Sequence, residues 1–421
     1  SKGGKRFAFE GIGYYIKTAA EMRELWGRQD LIEACDNTLL IAERCDVQFT
    51  ESTGGYMALA DIPEGETEES WLRKETWRGI ELRYPGEKTT QEVRDRVEFE
   101  IDVILQKGYP GYFLVVADFI QWSKDNGIRI GPGRGSGAGS IVAYALRITD
   151  LDPLEHGLFF ERFLNPERPS MPDFDIDFDD HRRGETIKYV TEKYGAEKVA
   201  QIATFGRIKA KQAIKDAARI LDHGFAIGDR ITKALPPDVM GKGVPLKELF
   251  NPDHKRYGEG GDFRALHDTD PDVRKIYETA LGLEGQIRQT GIHAAGVIMA
   301  SEPIIDVVPL MEPKQDGQVV TQFEYPTCEA LGLVKMDFLG LSNLHTLEDA
   351  LGNIRANRDI DLVLEEVPFD DKPTYELMQR GDTLGVFQLD GGGMRALLRS
   401  MLPGRFADIT AVSALYRPGP M

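Results

Sequence analysis

The chain has 421 residues, 41% hydrophobic and 29% charged, which excludes a disordered tail, a collagen-like fibre and a membrane bundle and predicts two or three domains at about 150 residues each. Lys and Arg number 51 against 69 Asp and Glu, a formal charge of −18. Nucleic acid would therefore have to be met by local basic patches, or by metal ions bridging acidic side chains to phosphate. Cys35, Cys45 and Cys328 cannot build a disulfide framework or a four-cysteine zinc site, and they fit a reducing, cytosolic compartment. No run of about 18 apolar residues offers a membrane span.

The start, Ser1-Lys2-Gly3-Gly4, has no initiator Met and no secretory signal. The end, Tyr416-Arg417-Pro418-Gly419-Pro420-Met421, is turn-like. Both ends read as cut, and the expectation is part of a longer protein. Residues 19–46 are helical in pattern, with Met22, Leu25, Trp26, Leu31, Ala34, Leu39 and Ile41 on apolar faces. Residues 51–89 mix Gly, Pro and Glu and read as a linker with some local helix. Residues 91–107 form an amphipathic helix through Val93, Val97, Ile101 and Ile104, stopped by Gly108. A second helix runs from Phe113 to Asn126. Ile128-Arg129-Ile130 is a short strand leading into a glycine-rich loop, and a helix follows over Ile141–Leu146. Met171–Phe178 is a strand, with helices at 182–195 and 207–222. Pro, Gly and charge over 235–272 predict an irregular excursion. Residues 293–310 and 331–339 read as buried strands, and the pattern is helical from 343. A β-rich centre interrupted by a mostly helical insertion predicts an α+β fold.

Asp173-Phe174-Asp175-Ile176-Asp177-Phe178 alternates strictly, so the three aspartates share one strand face and the apolar residues face a core. Three like charges on one face repel. One reading is a solvated edge strand whose charge blocks aggregation. The other is a divalent-cation site, since two aspartates at i and i+2 can bridge ions about 3.5–4 Å apart, the spacing of two-metal phosphoryl chemistry. Asp179, Asp180, His181, Arg182 and Arg183 read as an exposed turn. Lys335 and Asp337 share one face of the apolar run Leu333–Leu339. They are a buried ion pair, or a third carboxylate and a phosphate-directed cation.

Gly131–Ser140 holds five glycines and two serines between a strand and a helix. Backbone N–H groups there can cradle phosphate, and Arg134 adds a bidentate fork. The loop lacks a Walker ending, and a flexible turn is the plain alternative. Arg207, Lys211, Lys215 and Arg219 recur every four residues as a cationic stripe, with Asp216 the only acid from 205 to 219. The stripe suits a nucleic-acid backbone, or is a solvated helix face. Arg162 and Arg168 can likewise meet phosphate, or pair with Glu161 or Glu167.

Together, Gly133–Gly137, Glu161–Arg168, Met171–Phe178, Gly291-Ile292-His293-Ala294-Ala295-Gly296 and Lys335–Leu341 stand in the order seen in the bacterial replicative DNA polymerase III alpha subunit family. The chain resembles its DnaE type over almost its whole length. The related Gram-positive replicase type carries a cysteine zinc site in this neighbourhood, and none of the three cysteines lies near it.

The resemblance implies a DNA-directed DNA polymerase of chromosomal replication, a nucleotidyltransferase. Asp173, Asp175 and Asp337 resemble the three metal-binding catalytic aspartates. Asp177 is on the same face but is not one of the family's three. Gly135 and Ser136 resemble residues that contact the incoming triphosphate, and Arg162 and Lys335 the basic residues near the phosphates. Two Mg²⁺ ions are implied: one on all three aspartates lowers the pKa of the primer 3′-hydroxyl, and one on Asp173 and Asp175 binds the triphosphate and the leaving pyrophosphate.

The implied fold is a nucleotidyltransferase palm of the polymerase beta class with an inserted helical thumb. Residues 1–42 would be the tail of a preceding phosphoesterase-like domain, 43–204 and 293–342 the palm, 205–292 the thumb with the cationic stripe, and 343–421 the start of the fingers. Implied partners are primer–template DNA, deoxynucleoside triphosphates, and a sliding clamp and clamp loader through regions missing here, in a cytoplasmic, nucleoid-associated replisome. Most of the fingers would be absent too, so the fragment is expected to be weakly active or inactive alone. A two-metal nuclease on the same aspartates, and a binding module whose acidic strand is structural, are the competing classes.

Overall fold

The computed structural model describes residues 11–27, 31–48, 51–52, 55–167, 171–239, 241–311 and 319–416. Arg168 and both chain ends lie outside them. The chain divides into two units, residues 1–51 and 52–421. In the first, the helices Ala19–Gly27 and Ile32–Glu43 bury no residue, so the apolar faces expected over 19–46 stay open within this unit.

The second unit is built on a six-stranded mixed sheet: β1 (Asp175–Asp179), β2 (Val199–Arg207), β3 (Ile287–Met299), β4 (Leu310–Met311), β5 (Val320–Thr321) and β6 (Lys335–Leu341), in the order β1-β6-β3-β2-β5-β4. β1 and β6 are parallel, and β3 is antiparallel to both β6 and β2. With its many helices this is a mixed α+β fold. β1 starts later than the alternation predicts: Met171–Phe174 is not strand, although Phe174, Ile176 and Phe178 are all buried. The strand expected at 128–130 is a single bridge, Ile130 to Phe178.

One sheet face packs Ile176, Phe178, Met336 and Phe338 against helices Gln91–Lys107 and Pro110–Asp125. Residues 51–89 are not mainly linker. Helix Glu68–Arg83 starts in a capping box, in which the Thr67 hydroxyl accepts from Ser70 N–H and the Ser70 hydroxyl from Thr67 N–H, and it buries Leu72 and Ile80 in the same core. The other sheet face packs Ala200, Ile202 and Ile298 with Cys328 and Ile304. β2 is thus buried on both faces along its first half, which erases the alternation that would have marked it in sequence.

Beyond that half, β2 and β3 continue as a two-stranded ribbon, Ala203 opposite Ile292 through Arg207 opposite Ile287. The ribbon carries a helical excursion with its own core of Ile214, Ile231, Leu246, Phe263 and Ile276. Of the stretch 235–272 expected to be irregular, residues 261–269 are helical, so that stretch is more regular than its Pro and Gly content predicts, and a further helix follows over 271–283.

Phe338, fully buried, lies 4.8 Å from the Phe119 ring and 5.4 Å from Phe178. Phe119→Ala is expected to cost about 3–5 kcal/mol, because the cavity opens in a close-packed aromatic layer. Chemical denaturation of the two proteins measures it.

Candidate active site

Parallel pairing sets Asp175 of β1 directly beside Asp337 of β6, with Gly296 of β3 on the far side of Asp337. Asp173 lies just before β1. Phe174 N–H donates to the Tyr112 hydroxyl at 3.0 Å, and the two rings stack, which fixes the approach to the strand. Carboxylate oxygens of Asp173, Asp175 and Asp337 thereby lie within 4.8 Å of one another. Donors around a single Mg²⁺ at about 2.1 Å lie at most ~4.2 Å apart, so the cluster is close to the spacing one ion needs and leaves room for a second. Asp337 is 5% exposed, and its buried Oδ1 accepts no hydrogen bond. A buried carboxylate oxygen without a donor is costly, and a bound cation would satisfy it. The residues fit a divalent ion.

Lys335 Nζ lies 2.7 Å from Asp337 Oδ2 and 3.7 Å from Asp173 Oδ2. The i, i+2 ion pair is therefore present, and it stands inside the carboxylate cluster. Burial opposes the Lys335 charge, but the hydrogen bond to Asp337 and the fields of Asp173, Asp337 and Asp175 outweigh it and raise its pKa. The Asp173 carboxyl is raised above its usual range by burial first. Lys335 opposes the shift, while Asp337 and Asp175 add to it. The Tyr325 ring sits 5.2 Å from the ammonium.

The glycine-rich loop closes the other side. Gly135 has φ +63, and a Cβ there would stand 3.2 Å from Asp175 Oδ2. The left-handed turn favours glycine, and a side chain there would also crowd the Asp175 carboxylate. Ser136 follows it. Asp177 pairs with Arg134 at 3.1 Å, so the third aspartate of the string holds the loop instead of joining the cluster. Arg162 is exposed on the turn Phe160–Arg162 and makes no ion pair with the three aspartates. The structure thus gathers Asp173, Asp175, Asp337, Lys335 and Gly135.

Of the residues expected as an exposed turn, Asp180 and His181 are exposed in one, whereas Asp179 is the last residue of β1 and Arg183 opens the next helix. Asp179 is buried and accepts from His181 N–H at 2.8 Å. Arg183 donates to the carbonyls of Ala294 and Phe338, tying β1 to its neighbours. The cationic residues are exposed, but they are not one helix face: Arg207 ends β2, and only Lys211, Lys215 and Arg219 lie on the helix Ala210–Ile220. Each has an acid nearby: Arg207 with Glu324, Lys211 with Asp238, Lys215 with Asp229 and Arg219 with Asp216. That helix borders a cavity of about 850 Å³ that Lys209, Lys242 and Lys247 also line.

Sequence reasoning missed a buried dyad under the loop. Glu100, fully buried, accepts from the Ser140 hydroxyl at 2.7 Å, Val142 N–H at 3.2 Å and Arg96 Nε at 2.6 Å. Arg96 also donates to the carbonyls of Gly139 and Leu158. Burial pushes the Glu100 carboxyl up against the pull of Arg96. Glu100 interrupts an apolar helix face, and that is the only signal the sequence offered.

Comparisons with known proteins match this chain to one class of protein. A family model described as "Bacterial DNA polymerase III alpha NTPase domain" matches residues 70–340, and one described as "Bacterial DNA polymerase III alpha subunit finger domain" matches residues 343–421. The chain belongs to the bacterial DNA polymerase III alpha subunit family. It is 58% identical over 419 residues to the DNA polymerase III subunit alpha of Mycobacterium tuberculosis, covering 99% of this chain and 35% of that protein. The corresponding protein of Saccharopolyspora erythraea is 54% identical over 421 residues (99% and 35%), and that of Thermus aquaticus 40% over 478 (99% and 38%). The chain thus spans roughly a third of the length of these relatives.

Lys335→Met is expected to lower stability in metal-free buffer by about 3 kcal/mol, since it leaves a buried carboxylate unpaired. Added Mg²⁺ or Mn²⁺ should regain more stability in the variant than in the parent. Thermal unfolding with and without chelator checks both.

Proposed function

We propose that the chain is the palm, thumb and first part of the fingers of a replicative DNA polymerase, and that Asp173, Asp175 and Asp337 are the metal-binding residues of template-directed nucleotidyl transfer. The observation that carries this is the juxtaposition of three carboxylates within 4.8 Å, one with an unpartnered buried oxygen, against the Gly135 turn. In the proposed division, residues 43–204 and 293–342 are the palm, 205–292 the thumb and 343–421 the start of the fingers, after a phosphoesterase-like tail at 1–42. The separate apolar core of the excursion and the finger-model match support that division.

Two Mg²⁺ ions held by the three aspartates would supply activation of the primer 3′-hydroxyl and charge neutralisation at the triphosphate. The chain's own residues bind and orient. Backbone N–H groups around Gly135 and Ser136 receive phosphate oxygens, and Arg134 and Arg162 stand as further phosphate ligands. Lys335 sits in the cluster by its 2.7 Å contact with Asp337 and offers a cation to the phosphates. Tyr112 keeps Asp173 at the mouth of β1 through Phe174 N–H. Arg96 and Glu100 hold the loop from below.

The stripe Arg207, Lys211, Lys215 and Arg219 would meet the primer–template backbone. Its pairs are exposed and worth about 0–1 kcal/mol each, so phosphates can displace the acids. Clamp and clamp-loader contacts would lie in parts of the relatives beyond this chain. Among the described residues no helix is long and apolar enough to cross a membrane, in keeping with a cytoplasmic replisome protein. Because the chain spans only 35% of its mycobacterial relative, this segment is proposed to be weakly active or inactive by itself.

In the intact polymerase, Asp337→Asn should abolish single-nucleotide primer extension and leave primer–template binding near normal. The loss should exceed the 10–100-fold typical of outer partners of a metal site, and near-normal turnover would sink the assignment. Lys211→Ala and Lys215→Ala should each weaken primer–template binding across sequences and lower the salt slope by about one. Fluorescence anisotropy over a salt series reads both.

A further inference from the structure

The two strands bearing Asp175 and Asp337 end side by side, Asp179 opposite Leu341. β6 runs directly into the helix Ser342–Arg358, with which the finger-model segment begins. That helix buries only Leu344. Apolar packing therefore does little to orient it, and polar ties remain.

The first tie is to the end of β1. His345 Nδ1 lies 3.3 Å from Asp179 Oδ2 and its Nε2 3.4 Å from Asp349 Oδ2, while its ring packs on His181 with centroids 3.7 Å apart. The second is to the root of the glycine-rich loop. Arg129 Nε donates to Glu348 at 2.7 Å and its Nη1 to Glu365 at 3.0 Å. The Arg129 carbonyl accepts from Asp179 N–H at 3.0 Å, and two residues on, Gly131 N–H donates to the Asp177 carbonyl at 2.8 Å. β6 by chain continuity, β1 through Asp179 and the loop through Arg129 all meet one helix.

We infer that Arg129, Asp179 and His345 are positioning residues, through which the helix Ser342–Arg358 sets the spacing of the three carboxylates and the Gly135–Ser136 turn. The inference rests on the polymerase reading above and adds to it a mechanical link between the finger segment and the site. None of the three residues touches the reacting groups. A shift of the helix moves β6 directly, and moves β1 and the loop only while the polar ties hold. The pairs of Arg129 lie near the surface, so reversing one charge costs little global stability while releasing the loop root from the helix.

The test uses the intact polymerase chain with Arg129→Glu, Glu348→Arg and the double variant. Arg129→Glu should lower kcat/KM for the incoming nucleotide about tenfold, a coupling usual for contacting residues. Primer–template affinity and Tm should stay at parental values, and Glu348→Arg on that background should restore most of the loss. Hydrogen exchange over Gly131–Ser140 gives a readout independent of activity. It should accelerate in Arg129→Glu and slow again in the double variant. Asp179→Asn and His345→Ala should accelerate exchange along β1. Parental kinetics and exchange in Arg129→Glu would overturn the inference, as would a loss that follows Tm and is not rescued. Failure of the parent protein itself to extend a primer would instead overturn the polymerase reading.

Discussion

Three carboxylates held against one another are the constraint on which the rest of the site depends. The parallel register that puts Asp175 beside Asp337 also puts like charges beside each other, at a cost in stability. Lys335 offsets part of that repulsion from the same strand as Asp337. The rest is borne by packing. Phe174, Phe178 and Phe338 stand behind the acids, locked against Tyr112, Phe113 and Phe119. A rigid apolar layer is what lets a strand edge keep its charges convergent while it presents them outward.

The loop facing the acids is restrained in the same manner, by ion pairs below and above it. Arg96 and Glu100 bury a charge pair beneath Ser140, and Asp177 ties Arg134 above. A buried pair of this kind adds little net stability. Its physical use here is to fix the backbone between two elements that apolar contacts alone would let slide.

Much of the site was legible because its residues come in short strings. Alternation placed Asp173, Asp175 and Asp177 on one face, and Lys335 and Asp337 share theirs. What alternation could not say is that Asp177 binds Arg134 and not the cluster, since that depends on where the loop folds back. β2 escaped because burial on both faces removes its periodicity. Helix Glu68–Arg83 escaped because its charged residues hide the few positions, such as Leu72 and Ile80, that enter the core. Tyr112 and Glu100 were invisible as site residues, for each reaches the site from a distant stretch of chain. The resemblance to the alpha subunit family rested on the order of the strings, and the family match bears it out.

The most direct test is anomalous diffraction from the intact protein crystallised with primer–template, a non-reactive deoxynucleoside triphosphate and Mn²⁺. The account predicts anomalous peaks bonded at roughly 2.0–2.2 Å to oxygens of Asp173, Asp175 and Asp337, with the triphosphate over Gly135 and Ser136. Ordered DNA and nucleotide with no metal on these aspartates would contradict it.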